Sequence, residues 1–205
     1  MREKHFNSND WATREGSYWN TFFNTISGPR TVVMIGTEDE KGIGNIGLFN
    51  SMVHLGANPP LLGFILRPDT VPRHTYKNIL QSGTYTINHS TPKLLEKTHQ
   101  TSAKYTADQD EFAEIGFNKE HIAGFHAPFI EQSPIKIGLS FVEEHKIEAN
   151  QTRLIVGKVE HVIIAEQLIE EDGYIDCSSI STLLTSGLNA YHSHQLIKRV
   201  SYARP

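Results

Sequence analysis

With 19 basic and 23 acidic side chains among 205 residues, the chain carries a formal net charge of −4 and lacks the basic surplus that binding a nucleic-acid backbone demands. Its hydrophobic fraction of 38% describes an ordinary globule, and no apolar run approaches the roughly 18 residues of a membrane span. The one cysteine, Cys177, cannot close an internal disulfide, and the opening MREKHFNSND lacks a secretory pattern, so a cytoplasmic home is expected.

Trp19, Phe22, Phe23 and Ile26 recur at helical spacing before a stop at Gly28-Pro29, which predicts an N-terminal helical extension over residues 1–28 with its aromatic stripe in the core. From Arg30 the period changes. RTVVMIGT and IGLFNSMVHLG read as two strands joined by a hairpin at the charged turn EDEKG, and LLGFILR follows as a third after Asn58-Pro59-Pro60. TYTINHS alternates as a fourth strand behind Gly83. Thr91-Pro92 opens a second helical segment, DQDEFAEIGF a short third one, and PIKIGLSFVEEHKIE and TRLIVGKVEHVIIAE form two long strands joined at Ala149-Asn150-Gln151. The segment 174–205 is a tail with a possible short helix. Without repeats or linkers, the chain reads as one domain over residues 1–205, with about six or seven strands connected mostly by hairpins, hence an antiparallel barrel or sandwich.

GIGNIG, Gly42 to Gly47, matches the dinucleotide-binding glycine pattern, but four charged residues separate it from the preceding strand and no helical period follows, so a hairpin is the better reading. Of eleven histidines, His121, His126, His192 and His194 come nearest to a cluster, yet no carboxylate or cysteine stands at ligand spacing and no metal site is expected. Cys177 reads as an inert thiol, and no G-x-S-x-G elbow supports hydrolase chemistry. The richest stretch is RPDTVPRHTYKNI. After two turns, a helix starts with Thr75 as its natural N-cap, and Arg67, Arg73 and His74 surround its electropositive end. A phosphate cradle and a solvated, capped loop fit this stretch equally well.

The ordered set Asn45-x-Gly47-x-x-x-Ser51, Asn58-Pro59-Pro60, Arg67-Pro68, His74-Thr75-x-x-Asn78-Ile79 and Ser82-Gly83-x-Tyr85-x-Ile87-Asn88 resembles the flavin reductase-like family of FMN-binding split barrels. That family includes the flavoredoxin and nitrilotriacetate monooxygenase flavin-reductase component branches. The resemblance implies a homodimer of mainly β, six-stranded antiparallel split β-barrels of Greek-key type with a few peripheral helices. The 174–205 tail would pack on the barrel or the dimer partner. FMN, or FAD as the alternative, would be the cofactor, NAD(P)H the substrate, and a monooxygenase or other electron acceptor the partner. Carried over by position, Arg67, His74 and Thr75 would bind phosphate, Thr70 and Asn78 shape the loop, and Asn45, Asn50, Ser51 and Met52 line the flavin. Asn88, Tyr202 and Arg204 are weaker candidates. The family's G-D-H triplet, whose histidine lies near the nicotinamide, is replaced here by Asn150-Gln151-Thr152-Arg153. Two other readings therefore stay open: an FMN-holding electron carrier, and a flavin-free barrel for another phosphorylated ligand.

Overall fold

The computed structural model describes residues 1–12, 16–68 and 73–204. Two helices, α1 (Ser8–Ala12) and α2 (Ser17–Thr25), precede a short strand β1 (Arg30–Thr31). The strands β2 (Val33–Glu38), β3 (Gly44–Phe49), β4 (Met52–Ala57) and β5 (Pro60–Leu66) follow, then α3 (His74–Ser82) and β6 (Thr84–His89). After a helical turn at Pro92–Leu94 come α4 (Leu95–Gln100) and α5 (Glu111–Ile115), the pair β7 (Lys119–Glu120) and β8 (Phe129–Ile130), and the long β9 (Ile135–Ile147) and β10 (Thr152–Ile164). The tail supplies β11 (Leu184–Ser186) and β12 (Ala190–His192).

The principal sheet is antiparallel with strand order β3-β2-β6-β9-β10-β5-β4. It has seven strands, where the family resemblance implied six. The difference arises within IGLFNSMVHLG, which is not one strand: it breaks at Asn50-Ser51 into β3 and β4, the two opposite edges of the sheet. A link this short reaches only about 11 Å from Phe49 to Met52, so the sheet must curl until its edges approach. Two contacts mark the approach: Ile65 N–H donates to the Ser51 carbonyl (3.1 Å), and the Phe49 and Phe64 rings meet at 4.9 Å. No ladder joins β3 to β4 among the described residues, so the cylinder stays open there.

Alternation explains the two sides of β2. Val33 and Ile35 face an interior shared with Phe64, Tyr85, Leu139 and Ile155, and Ile79 from α3 plugs the same core. Met34, one residue out of phase, packs outward with Ile46, Phe112, Phe117 and Ile130. With both faces covered, every residue of β2 is buried, as its nearly unbroken apolar sequence requires. No helix among the described residues is long and apolar enough to cross a membrane.

Both ends of the chain differ from expectation. Trp19 is buried, mostly by other aromatics of the same region such as Phe6 (5.3 Å) and Trp11 (5.9 Å), while Phe23 and Ile26 are exposed rather than in the core. Helical spacing placed these side chains on one face correctly, but nothing in the spacing says what that face meets. The tail forms no helix. β11 pairs with both β1 and β12 into a separate three-stranded sheet. Beyond it Arg199 bonds Glu170 (2.6 Å) and Asp172, and lies over the Tyr174 ring.

Candidate functional site

The two edges of the curled sheet do not close, and a cleft of about 1090 Å³ lies along β3. One wall runs from Asn45 to Ser51, a span of about 20 Å at strand rise. Arg67, Arg73, His74 and Thr75 stand at one end, Phe23, Arg30, Gly187 and Leu188 at the other. The segment from Thr101 to Ala107 flanks it.

The cationic end is built by α3. The helix begins at His74 with Arg73 in the N-cap position, so Thr75 lies inside the first turn and is not the cap. The reason is that the Thr75 hydroxyl is already committed to the Asn45 side-chain amide, at 2.8 Å. No side chain among the described residues caps the helix, so on their account its first N–H groups are open to an anion. Gly83 closes the helix in the left-handed conformation (φ 70°), its N–H donating to Ile79 O. Arg73 is held by Pro68 O (3.2 Å), and neither Arg67 nor His74 has an ion-pair partner among the described residues. Gly47 is needed at the centre of the wall. A Cβ there would stand 2.6 Å from the Phe49 ring and 2.9 Å from Thr75 Oγ1.

The other predicted residues fall into three groups. Asn50 and Ser51 do line the cleft, where the β3–β4 break exposes them; Asn50 Nδ2 donates to Gly187 O (3.0 Å), drawing the tail hairpin to the wall. Asn78 and Asn88 are buried in the fold instead. Asn78 braces α3 against β2 through Thr37 Oγ1 (3.2 Å), and Asn88 spends its amide on Met34 O, Thr86 Oγ1 and the Ile130 N–H. Met52 packs against the interior cluster. Tyr202 and Arg204 are exposed and stand outside the cleft wall. Thr70 lies outside the described residues. Asn150 and Thr152, from the stretch that replaces the family's G-D-H triplet, do reach the cleft, with Thr152 Oγ1 donating to Asn150 Oδ1 (2.8 Å).

One acidic residue on this wall escaped the sequence reading, which saw Glu111 only as part of a short helix. Asp110 caps α5, accepting from the Phe112 and Ala113 N–H groups, and its second oxygen accepts from Gly44 N–H (3.0 Å). Burial works against the Asp110 charge, but Lys119 (2.7 Å) and these N–H groups hold its carboxyl below the usual range. That docking presses the next residue, Glu111, against β3, where its Oε2 accepts from Ile46 N–H (2.8 Å). Burial pushes Glu111 up to about 7, the Ile46 N–H opposing and the Asp110 charge adding.

Four likenesses bear on this arrangement. Residues 27–184 match the family model described as the flavin reductase like domain. The crystal structure of a split-barrel protein assigned as a flavin reductase, from Shewanella frigidimarina NCIMB 400, is similar over 98% of this chain and 100% of that one (38% identity, TM-score 0.93). Nitrilotriacetate monooxygenase component B from Bacillus cereus shares the fold over 98% of this chain and 100% of its own (16% identity, TM-score 0.83). Flavoredoxin of Desulfovibrio vulgaris (Miyazaki F) does so over 85% and 92% (20% identity, TM-score 0.73). A cleft-bearing sheet of this topology, matched over most of its length by that domain model, makes the chain a member of the flavin reductase-like family.

Proposed function

We propose that the chain binds FMN in this cleft and acts as an NAD(P)H-dependent flavin reductase. The observation that carries the reading is the start of α3, where no described side chain caps the helix and Arg67, Arg73 and His74 line the same cleft, whose β3 wall runs about 20 Å. An elongated ligand with one anionic end fits such a donor set. Gly47 lets the Phe49 ring and the Thr75 hydroxyl close against the wall between the two ends, where a Cβ would displace both.

A bound flavin would supply the redox chemistry, as hydride acceptor from a nicotinamide and electron donor to an acceptor. The protein's residues bind and orient. The α3 N–H groups, Arg67 and Arg73 hold the phosphate, each charge-assisted bond contributing about 1.5–3 kcal/mol. Asn50 and Ser51, fixed by Gly187 and the Ile65 N–H, present polar groups to the ring edge. Phe23 and Leu188 give the far end an apolar border that limits water.

An FMN-holding electron carrier is the second reading, favoured by Asn150 and Thr152 standing where the family's histidine would face a nicotinamide. A monooxygenase is one acceptor class consistent with the likeness to a monooxygenase component. A homodimer is supported by the apolar side chains exposed on the edge strand β4, Val53 and Leu55, and by Val142 and Ile147 on the β9–β10 hairpin.

Purified protein tests the readings in order. A yellow protein with a flavin spectrum, bleached anaerobically by NADH or NADPH, is the expected result. A flavin spectrum that neither nicotinamide bleaches would leave the carrier, and a colourless protein that takes up no added FMN would overturn both.

A further inference from the structure

We propose that Glu111 is a positioning residue that makes anion binding at the start of α3 depend on a proton, acting through the Asn45 amide on the Thr75 hydroxyl. The inference rests on the phosphate reading above. Glu111 is 6% exposed and Asn45 9%, so each depends mainly on protein groups for its hydrogen bonds. One end of the Asn45 amide faces Glu111 Oε1 at 3.2 Å; the other faces Thr75 Oγ1 at 2.8 Å.

An amide offers a donor at one end and an acceptor at the other, so the state of Glu111 sets which end Thr75 meets. When Glu111 is ionised, both its oxygens only accept. Asn45 then turns its NH₂ to Glu111 and its oxygen to Thr75, and that oxygen also receives the Ile46 N–H (3.2 Å). The Thr75 hydroxyl gives its one hydrogen to Asn45 and has none for a ligand. When a solvent proton sits on Glu111 Oε1, that O–H donates to the Asn45 oxygen. The NH₂ now points to Thr75, whose hydroxyl accepts from it and keeps its hydrogen for an oxyanion. The same proton removes a negative charge from the wall of the anion site, so both effects favour binding in the protonated form.

Charged groups reach the surroundings of Glu111 from α3, α5, β2, β7 and the turn at Asp39. Asp110, the neighbour on α5, repels the Glu111 charge, while Lys119 from β7 pairs with Asp110 and with Glu38 of β2. A small cavity of about 30 Å³ beside Glu111 is shared with Asp39, with His74 and Lys77 of α3, and is large enough to admit a water. Burial places the titration at about 7. Because this lies above the ordinary carboxyl value of 4.5, the binding-competent protonated form dominates below pH 7 and is lost above it.

The test is fluorescence titration of flavin-free protein with FMN and with riboflavin between pH 6.5 and 8.5. In the wild type the FMN Kd should rise by about tenfold or more over that range, since the competent fraction falls by that order, while riboflavin affinity stays level. Glu111→Gln should hold FMN at pH 8.5 as tightly as the wild type does at pH 6.5, with no slope. A level wild-type profile for FMN would overturn the proposal, and so would a Glu111→Gln protein that keeps the wild-type slope, which would assign the proton to His74 or the ligand. Should Glu111→Gln fail to fold, calorimetry of the wild type at pH 7.5 in two buffers decides: uptake of about 0.8 proton per FMN and none per riboflavin is expected, and no uptake for either overturns it. The phosphate reading fails separately. Equal FMN and riboflavin affinities at every pH, unmoved by Arg67→Ala or Arg73→Ala, would remove both ideas, whereas an FMN preference without a pH slope removes only the role of Glu111.

Discussion

β3 has two unlike ends. At Gly44–Ile46 the chain is buried, and its polar groups are answered by Asp110, Glu111 and Thr75 through bonds of 2.8–3.0 Å. At Leu48–Asn50 it is half-buried, and the Asn50 side chain reaches the far tail at Gly187 O. The first end is a dense network inside the main fold, with cations set around a helix start. The second is a seam between segments distant in sequence, bordered by Phe23 and Leu188. The contrast teaches how one strand can serve a site with two tasks: holding a charged group needs buried, pre-set donors, and admitting a second molecule needs an edge that the core does not close.

The harshest way to break this picture is at the strand's midpoint. Gly47→Val should abolish detectable FMN binding, because its Cβ would meet the Phe49 ring at 2.6 Å and Thr75 Oγ1 at 2.9 Å. Circular dichroism would check that the sheet survives an overpacking cost of about 1–3 kcal/mol. Wild-type FMN affinity in a folded Gly47→Val protein would show that no ligand lies along β3.

At the charged end, Arg67→Ala should weaken FMN by about tenfold or more and leave riboflavin nearly unaffected, the loss of one charge-assisted bond. Equal losses for both ligands in a titration would move the phosphate elsewhere.

Stability against pH sharpens the comparison from outside the cleft. His89 is held down to about 4 by burial, and its buried Nδ1 has no hydrogen-bond partner among the described residues. A folded value below the ordinary 6.5 means that stability present above pH 6.5 is lost as the pH falls toward 4, up to about 3 kcal/mol. Glu111 has the opposite sign: its folded value is raised, so its contribution is full below pH 4.5 and lost as the pH rises through 7. Melting curves of His89→Gln should therefore lose less on acidification than wild type, and those of Glu111→Gln should lose less on going to pH 8. A wild-type profile from His89→Gln would contradict the first assignment.

The smallest effect belongs to the open end. Leu188 is 57% exposed, so Leu188→Ala should change FMN affinity by less than about threefold. A larger loss in the same titration would mean that the tail holds the flavin as firmly as α3 does.

Much of the fold was legible because its signals are local. β5, β6, α3, β9 and β10 fall where alternation, helical spacing and the Gly83 stop placed them. The hairpin reading of GIGNIG also holds, with β3 starting at Gly44 and pairing antiparallel with β2. Less of the site was legible, because contact across the fold leaves no spacing to read. Asn45 and Thr75 meet although thirty residues separate them, and Ile46 meets Glu111 across sixty-five. Asn88 has the residue type of a ligand contact and is wholly spent on backbone and Thr86.

By itself the sequence determined the strands β2, β5, β6, β9 and β10, the helix at RPDTVPRHTYKNI and the family, since periodicity, turn chemistry and motif order all lie along the chain. Only the tertiary structure decided that IGLFNSMVHLG breaks at Asn50-Ser51 into opposite edges of one sheet. It also decided that Thr75 serves Asn45 rather than capping its helix, and that Glu111 stands behind both. The physical reason is common to all three: a polar group removed from water must be answered by whatever the closing fold brings near it, and that neighbour is chosen by the sheet's curl, not by its position in the chain.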